Sequence, residues 1–114
     1  MPRFNKITIF GFADSHEDRP EWKDAYETSK LLAENGYTIV NGGGPGVMKA
    51  ATLGAKEGNG SVVGVSFYPK DAPYFEGRDR SNPIDQEIKT QNYLERTLRL
   101  LEQGDAYILF KGGT

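Results

Sequence analysis

The 114-residue chain contains no cysteine, which excludes disulfides and thiolate metal sites and fits a reducing, cytoplasmic setting. It has a single histidine, His16, in the acidic segment Asp14-Ser-His-Glu-Asp18, where an exposed role is expected ahead of a catalytic one. With no second histidine or cysteine beside it, no metal site is expected. No apolar run approaches the ~18 residues of a membrane span, and no signal-type h-region opens the chain, so no membrane partner is expected. A basic excess is also missing. The formal net charge is −2, which argues against a dedicated nucleic-acid binder. No serine lies in a nucleophile-elbow context, so the usual hydrolase triads have no footing.

What is present is an ordinary globular composition, 37% hydrophobic and 26% charged, and one conspicuous stretch. Ile39-Val-Asn41 runs into Gly42-Gly-Gly-Pro-Gly46 and then into a helical segment. Four glycines in five positions exceed the needs of a tight turn. Such a turn between strand and helix brings backbone N–H groups close to a ligand, so a phosphate or a sugar is the expected ligand. It is not the dinucleotide fingerprint, whose spacing differs and which follows the first strand, nor a Walker loop, which needs a following Lys-Ser or Lys-Thr.

Around this turn the pattern alternates. Strands are predicted at 6–12, 37–41, 61–66 and 106–110, with a short edge strand over 86–89. Helices are predicted at 21–35, 47–57 and 92–103. Asp18 is the expected cap of the first helix, with Pro20 in its first turn, and Asn35-Gly36 is its stop. Ala50, Ala51, Gly54 and Ala55 make a small-residue face on the second helix, suited to close packing on a sheet. On the third, Leu94, Leu98 and Leu101 mark the expected buried face, which turns Arg96 outward as a solvated surface residue. Asp85, Glu87 and Glu95 read as surface charges. Residues 67–85, with Pro69, Pro73, Gly77 and Pro83, form a long irregular segment. The alternation implies a single domain of α/β class, a doubly wound, mostly parallel sheet with helices on both faces. Its ligand edge collects the loops Gly11–Ser15, Asn41–Gly46 and Lys111–Thr114.

These motifs resemble the Rossmann-like proteins long labelled possible lysine decarboxylases, the Lonely Guy family of nucleoside 5′-monophosphate phosphoribohydrolases. Phe10-Gly-Phe-Ala-Asp14 is similar to that family's Phe-Gly-Ser-Ala-Arg. Gly42-Gly-Gly-Pro-Gly-Val-Met-Lys-Ala-Ala51 is similar to its Gly-Gly-Gly-Pro-Gly-Ile-Met-Glu-Ala-Ala. Tyr93-Leu-Glu-Arg96 falls at its Met-x-x-Arg, and Lys111-Gly-Gly-Thr114 at the start of its Pro-Gly-Gly-x-Gly-Thr-x-x-Glu.

The resemblance implies hydrolysis of the N-glycosidic bond of a nucleoside monophosphate, without a cofactor, by a homodimer in which helix 93–103 or its neighbours contribute to the interface. It makes Arg96 catalytic, reversing the surface reading, and assigns phosphate to Gly11, Phe12, Gly42, Gly43, Gly44, Gly46, Gly112, Gly113 and Thr114. On this view Arg96→Ala stops turnover and leaves the fold intact. Phe12, Asp14 and Thr97 depart from the family pattern. The family's catalytic glutamate falls beyond Thr114, so the 114 residues read as the N-terminal two-thirds of a larger domain with one sheet edge uncovered. The alternative is a related nucleotide sensor or cofactor carrier that binds without turnover. Amino-acid decarboxylation is the weakest reading, since no lysine is marked for a Schiff base.

Overall fold

The computed structural model describes residues 5–11, 16–67 and 83–110. The described elements are β1 (Lys6–Phe10), α1 (Pro20–Glu34), β2 (Thr38–Asn41), α2 (Val47–Glu57), β3 (Val62–Phe67), β4 (Gln86–Thr90), α3 (Tyr93–Gln103) and β5 (Ala106–Leu109). Each predicted element is present, the edge strand β4 included. The expected strand 6–12 ends at Phe10, and Phe12 lies outside the described residues, as does most of the irregular 67–85 segment.

The five strands form one parallel sheet in the order β4-β3-β2-β1-β5. The chain steps outward from β1 to β4, then α3 carries it back to the far side of β1. Direction across the sheet therefore reverses between β1 and β5, where α/β sheets place their ligand crevice. Side chains alternate along each strand, so β2 feeds two cores. Ile39 joins Ile7, Ile9 and Val62 beneath α1 and α2, whereas Val40 joins Val63, Val65 and Leu100 beneath α3. Burial on both faces explains the continuous apolar runs of these strands.

Helix α1 starts without the expected Asp18 cap. Arg19 is the N-cap, with no side-chain hydrogen bond, and Pro20 supplies a preset first turn. Its end is a Schellman motif. Tyr37 N–H donates to Leu32 O (3.1 Å) and Gly36 N–H to Ala33 O (3.0 Å), with Gly36 at φ 90°. The small residues of α2 do more than approach the sheet: Gly54 abuts the backbone carbonyl of Tyr26 in α1. Helix α3 is capped by Asn92, whose side chain accepts Glu95 N–H (2.8 Å), and Glu95 in turn accepts Gln91 N–H (3.2 Å).

The apolar face of α3 is the reverse of the sequence expectation. Leu94, Leu98 and Leu101 are 70%, 52% and 44% exposed, while Arg96 and Leu100 are buried against the sheet. Spacing identified a stripe of leucines but carried no information on which side the sheet would lie. Tyr107 and Leu109 of the edge strand β5 are exposed as well. They are register partners of Thr8 and Phe10, and therefore share their face of the sheet.

Two aspartates pin the outer strands at the end of the sheet opposite the glycine turn. Asp105 accepts the N–H groups of Asn5 (2.8 Å) and Lys6 (3.0 Å), and these bonds hold its carboxyl below the usual range. Burial pushes the Asp85 carboxyl up, but Lys56 and the Val62 N–H (2.7 Å) outweigh it and hold this group low too. A carboxyl with a depressed folded pKa contributes stability that is complete above its unfolded value of about 3.9 and is lost as pH falls through the folded one. Urea midpoints are accordingly expected to stay level near neutrality and drop below about pH 4. Asp85→Asn and Asp105→Asn should flatten that acid limb; an unchanged limb would exclude these two groups as its source.

Candidate functional site

β2 ends at Asn41 and α2 begins at Val47, so the glycine turn occupies the carboxyl edge of the sheet beside β1 and β3. The turn is glycine for two physical reasons. Gly43 and Gly46 have φ of 72° and 69°, where L side chains are strained. At Gly42 the cause is a neighbour: an added Cβ would fall 1.7 Å from Nη2 of Arg96.

Arg96 reaches this turn from α3, on the other face of the sheet. Its Nε donates to Val65 O (3.1 Å), and Nη2 donates to Gly42 O (3.1 Å) and contacts Met48 Sδ (3.3 Å). The side chain is 7% exposed. A planar guanidinium can address two carbonyls on neighbouring stretches of backbone at once, which a lysine ammonium on a flexible stem cannot do in the same fixed geometry. Arg96 is therefore a clamp between β2, β3 and the start of α2. The surface reading of this residue is overturned.

Beneath the turn lies a polar chain that sequence reading missed. Gly43 N–H donates to Asn41 Oδ1 (2.6 Å), Asn41 Nδ2 donates to Thr52 Oγ1 (2.8 Å), and Thr52 donates to Met48 O (3.1 Å). Asn41 and Thr52 are fully buried. The available signal was an asparagine directly before a glycine run, a common former of side-chain-closed turns. Gly43 thus commits its N–H to Asn41. The start of α2 behaves differently: Gly46 is its N-cap and brings no side-chain acceptor, and the first helical bond runs from Ala50 N–H to Gly46 O (3.0 Å). A helix start of this kind, behind a glycine turn, suits an anion.

Gly11 completes the edge. A Cβ there would meet Val47 Cγ1 at 2.2 Å, so the end of β1 lies directly against the first residue of α2. Phe110 N–H donates to Phe10 O (2.8 Å), which carries β5 up to the same edge. The structure thus gathers Gly11, the glycine turn and Arg96 in one place. Phe12, Gly112, Gly113 and Thr114 lie outside the described residues.

The carboxylates read as surface charges are more engaged than expected. Glu87 is half-buried and accepts the hydroxyl of buried Ser66 (2.5 Å). His16 is exposed, as expected. Among the described residues no cluster of His, Asp or Glu has the makings of a metal site, and no helix is long and apolar enough to cross a membrane.

The family model described as SLOG cluster4 family matches residues 5–114. The chain belongs to that family. Membership of the SLOG cluster4 family supports the Lonely Guy resemblance at the level of the Rossmann-like SLOG superfamily, which is coarser than the Lonely Guy family itself. A protein of Archaeoglobus fulgidus is 32% identical over 108 residues, covering 95% of this chain and 66% of its own length. The X-ray structure of TM1055 matches with a TM-score of 0.74 at 27% identity, over 95% of this chain and 61% of that one. The molybdenum cofactor binding protein from the phototrophic bacterium Rippkaea orientalis matches with a TM-score of 0.72 at 27% identity, over 94% of this chain and 62% of that one. The molybdenum cofactor carrier protein from Chlamydomonas reinhardtii gives 0.70 at 28% identity, with coverages of 94% and 62%. The SLOG cluster4 chain thus spans between 61% and 66% of the length of these relatives.

Proposed function

We propose that this SLOG cluster4 protein binds and carries a phosphate-bearing nucleotide or cofactor, with the glycine turn and the start of α2 as the phosphate seat. The carrying observation is the placement of Arg96. Its Nε and Nη2 are spent on the carbonyls of Val65 and Gly42, so it shapes the seat. The similarity to two molybdenum cofactor proteins supports cargo of that class. The second reading is hydrolysis of a nucleoside monophosphate. It is supported by the position of Arg96 at the catalytic arginine of the Lonely Guy family that the motifs resemble, and by its contact with the glycine turn.

Calorimetric titration with nucleoside monophosphates and with molybdenum cofactor, followed by chromatography of the mixtures, separates the two. The carrier reading expects saturable binding, competition by inorganic phosphate and no free base. Release of base would replace it with the hydrolase reading, and absence of any binding would sink both.

The outward leucines of α3, with Tyr107 and Leu109, make an apolar surface of the kind covered by another protein. We assign it to a second copy of this chain. Light scattering is expected to return twice the chain mass, and Leu98→Glu to return a monomer; a monomeric wild type would remove the assignment.

A further inference from the structure

Asn41 is a fully buried amide at the end of β2, and its three-bond chain runs in one direction, from Gly43 N–H through its own side chain and Thr52 to Met48 O. The neighbours settle its orientation. Only the oxygen can receive Gly43 N–H, so the nitrogen faces the Thr52 hydroxyl. A side-chain-closed turn needs no more than the acceptor, and aspartate forms such turns as readily as asparagine. An aspartate here would accept Gly43 N–H with a charge-assisted bond, and the Thr52 hydroxyl could rotate to donate to it. Turn geometry therefore does not account for the amide. Charge does: a carboxylate bonded to Gly43 would set a buried negative charge under the proposed phosphate seat.

Resting on the phosphate-seat reading above, we infer that Asn41, held by Thr52, is the positioning residue that closes the glycine turn with an uncharged acceptor, so that the seat takes a phosphoryl dianion. The role is one of selectivity for the phosphate end of the ligand. It predicts a change in the ratio of affinities for a nucleoside monophosphate and its parent nucleoside, which a merely structural residue would leave alone.

The test titrates the protein, Asn41→Asp, Thr52→Val and Thr52→Ser with one nucleoside monophosphate and the matching nucleoside. Asn41→Asp is expected to bind the monophosphate at least on the order of a hundredfold more weakly, since the new carboxylate repels every negative charge on the phosphate. Its affinity for the nucleoside should stay within about threefold, since an uncharged ligand does not feel that repulsion. Lowering the pH should restore monophosphate binding to Asn41→Asp as the new carboxyl takes a proton. The wild type should instead weaken as the ligand phosphate protonates near pH ~6. Thr52→Val, which unpins the amide, should lose about tenfold on the monophosphate alone, the scale of one lost hydrogen bond. Thr52→Ser should behave as wild type.

An unchanged affinity ratio in Asn41→Asp overturns the inference. If that variant fails to fold, an unchanged ratio in Thr52→Val does so. A wild type that binds the nucleoside and its monophosphate equally would instead remove the phosphate-seat reading, and the inference with it.

Discussion

Arg96→Ala is expected to lower unfolding stability by about 3 kcal/mol, since it leaves two buried carbonyls without their donor at about 1–3 kcal/mol each. Gly42 O lies just past the end of β2 and Val65 O within the neighbouring β3, and the lost side chain also leaves a gap against Met48. Arg96→Met should recover part of the packing and none of the hydrogen bonding. Arg96→Lys keeps the charge but lacks the fork that reaches both carbonyls, and should fall between the two. Urea denaturation measures these differences, and amide exchange at Gly42–Gly46 should quicken in the same order. A purely catalytic arginine predicts the opposite, loss of turnover on an undisturbed fold. A stability loss under about 0.5 kcal/mol, typical of surface substitutions, would therefore remove the clamp and return Arg96 to the role implied by the Lonely Guy resemblance.

Gly54→Ala carries the second large effect, and two opposing terms decide its sign. In a helix interior alanine is favoured over glycine by about 1 kcal/mol, so propensity alone predicts a stabilised α2. The new Cβ, however, would lie 2.1 Å from the carbonyl oxygen of Tyr26 and 2.9 Å from its carbon. That obstacle is backbone and cannot swing aside as a side chain can. α1 must move bodily, and it carries Ala25, Ser29 and Ala33, all buried. Overpacking of this kind costs typically 1–3 kcal/mol or more, and against a backbone obstacle the upper end applies. After the helix-propensity gain of about 1 kcal/mol, a net loss of about 1–2 kcal/mol is expected in thermal or urea unfolding. A stabilised variant would mean that the two helices part more easily than their contact implies.

The two substitutions probe different kinds of legibility. Gly54 stood out in the sequence as part of a small-residue face, and the expectation of close packing was right, although a second helix supplies one of the surfaces. Arg96 stood out only through resemblance. Read from helical spacing alone it pointed to solvent, because Leu94, Leu98 and Leu101 claimed the buried face. Asn41 drew no notice as a side chain, since its importance lies in a bond to Gly43 and another to Thr52, eleven positions along the chain.

Local pattern determined the order of strands and helices, the place of the glycine turn after the second strand, and the stop at Asn35-Gly36. These depend on neighbours within a few positions, through propensity, capping and the backbone freedom of glycine. The tertiary structure alone decided the strand order β4-β3-β2-β1-β5, the face that α3 turns inward, and the engagement of Arg96. Its partners Gly42 and Val65 lie 54 and 31 positions away, on strands brought together only by the sheet. An amphipathic stripe reports that a helix has two unlike faces. Which face meets the sheet depends on the groups waiting there, and here these are the carbonyls of Gly42 and Val65, which accept from Arg96, and the valines that pack on Leu100.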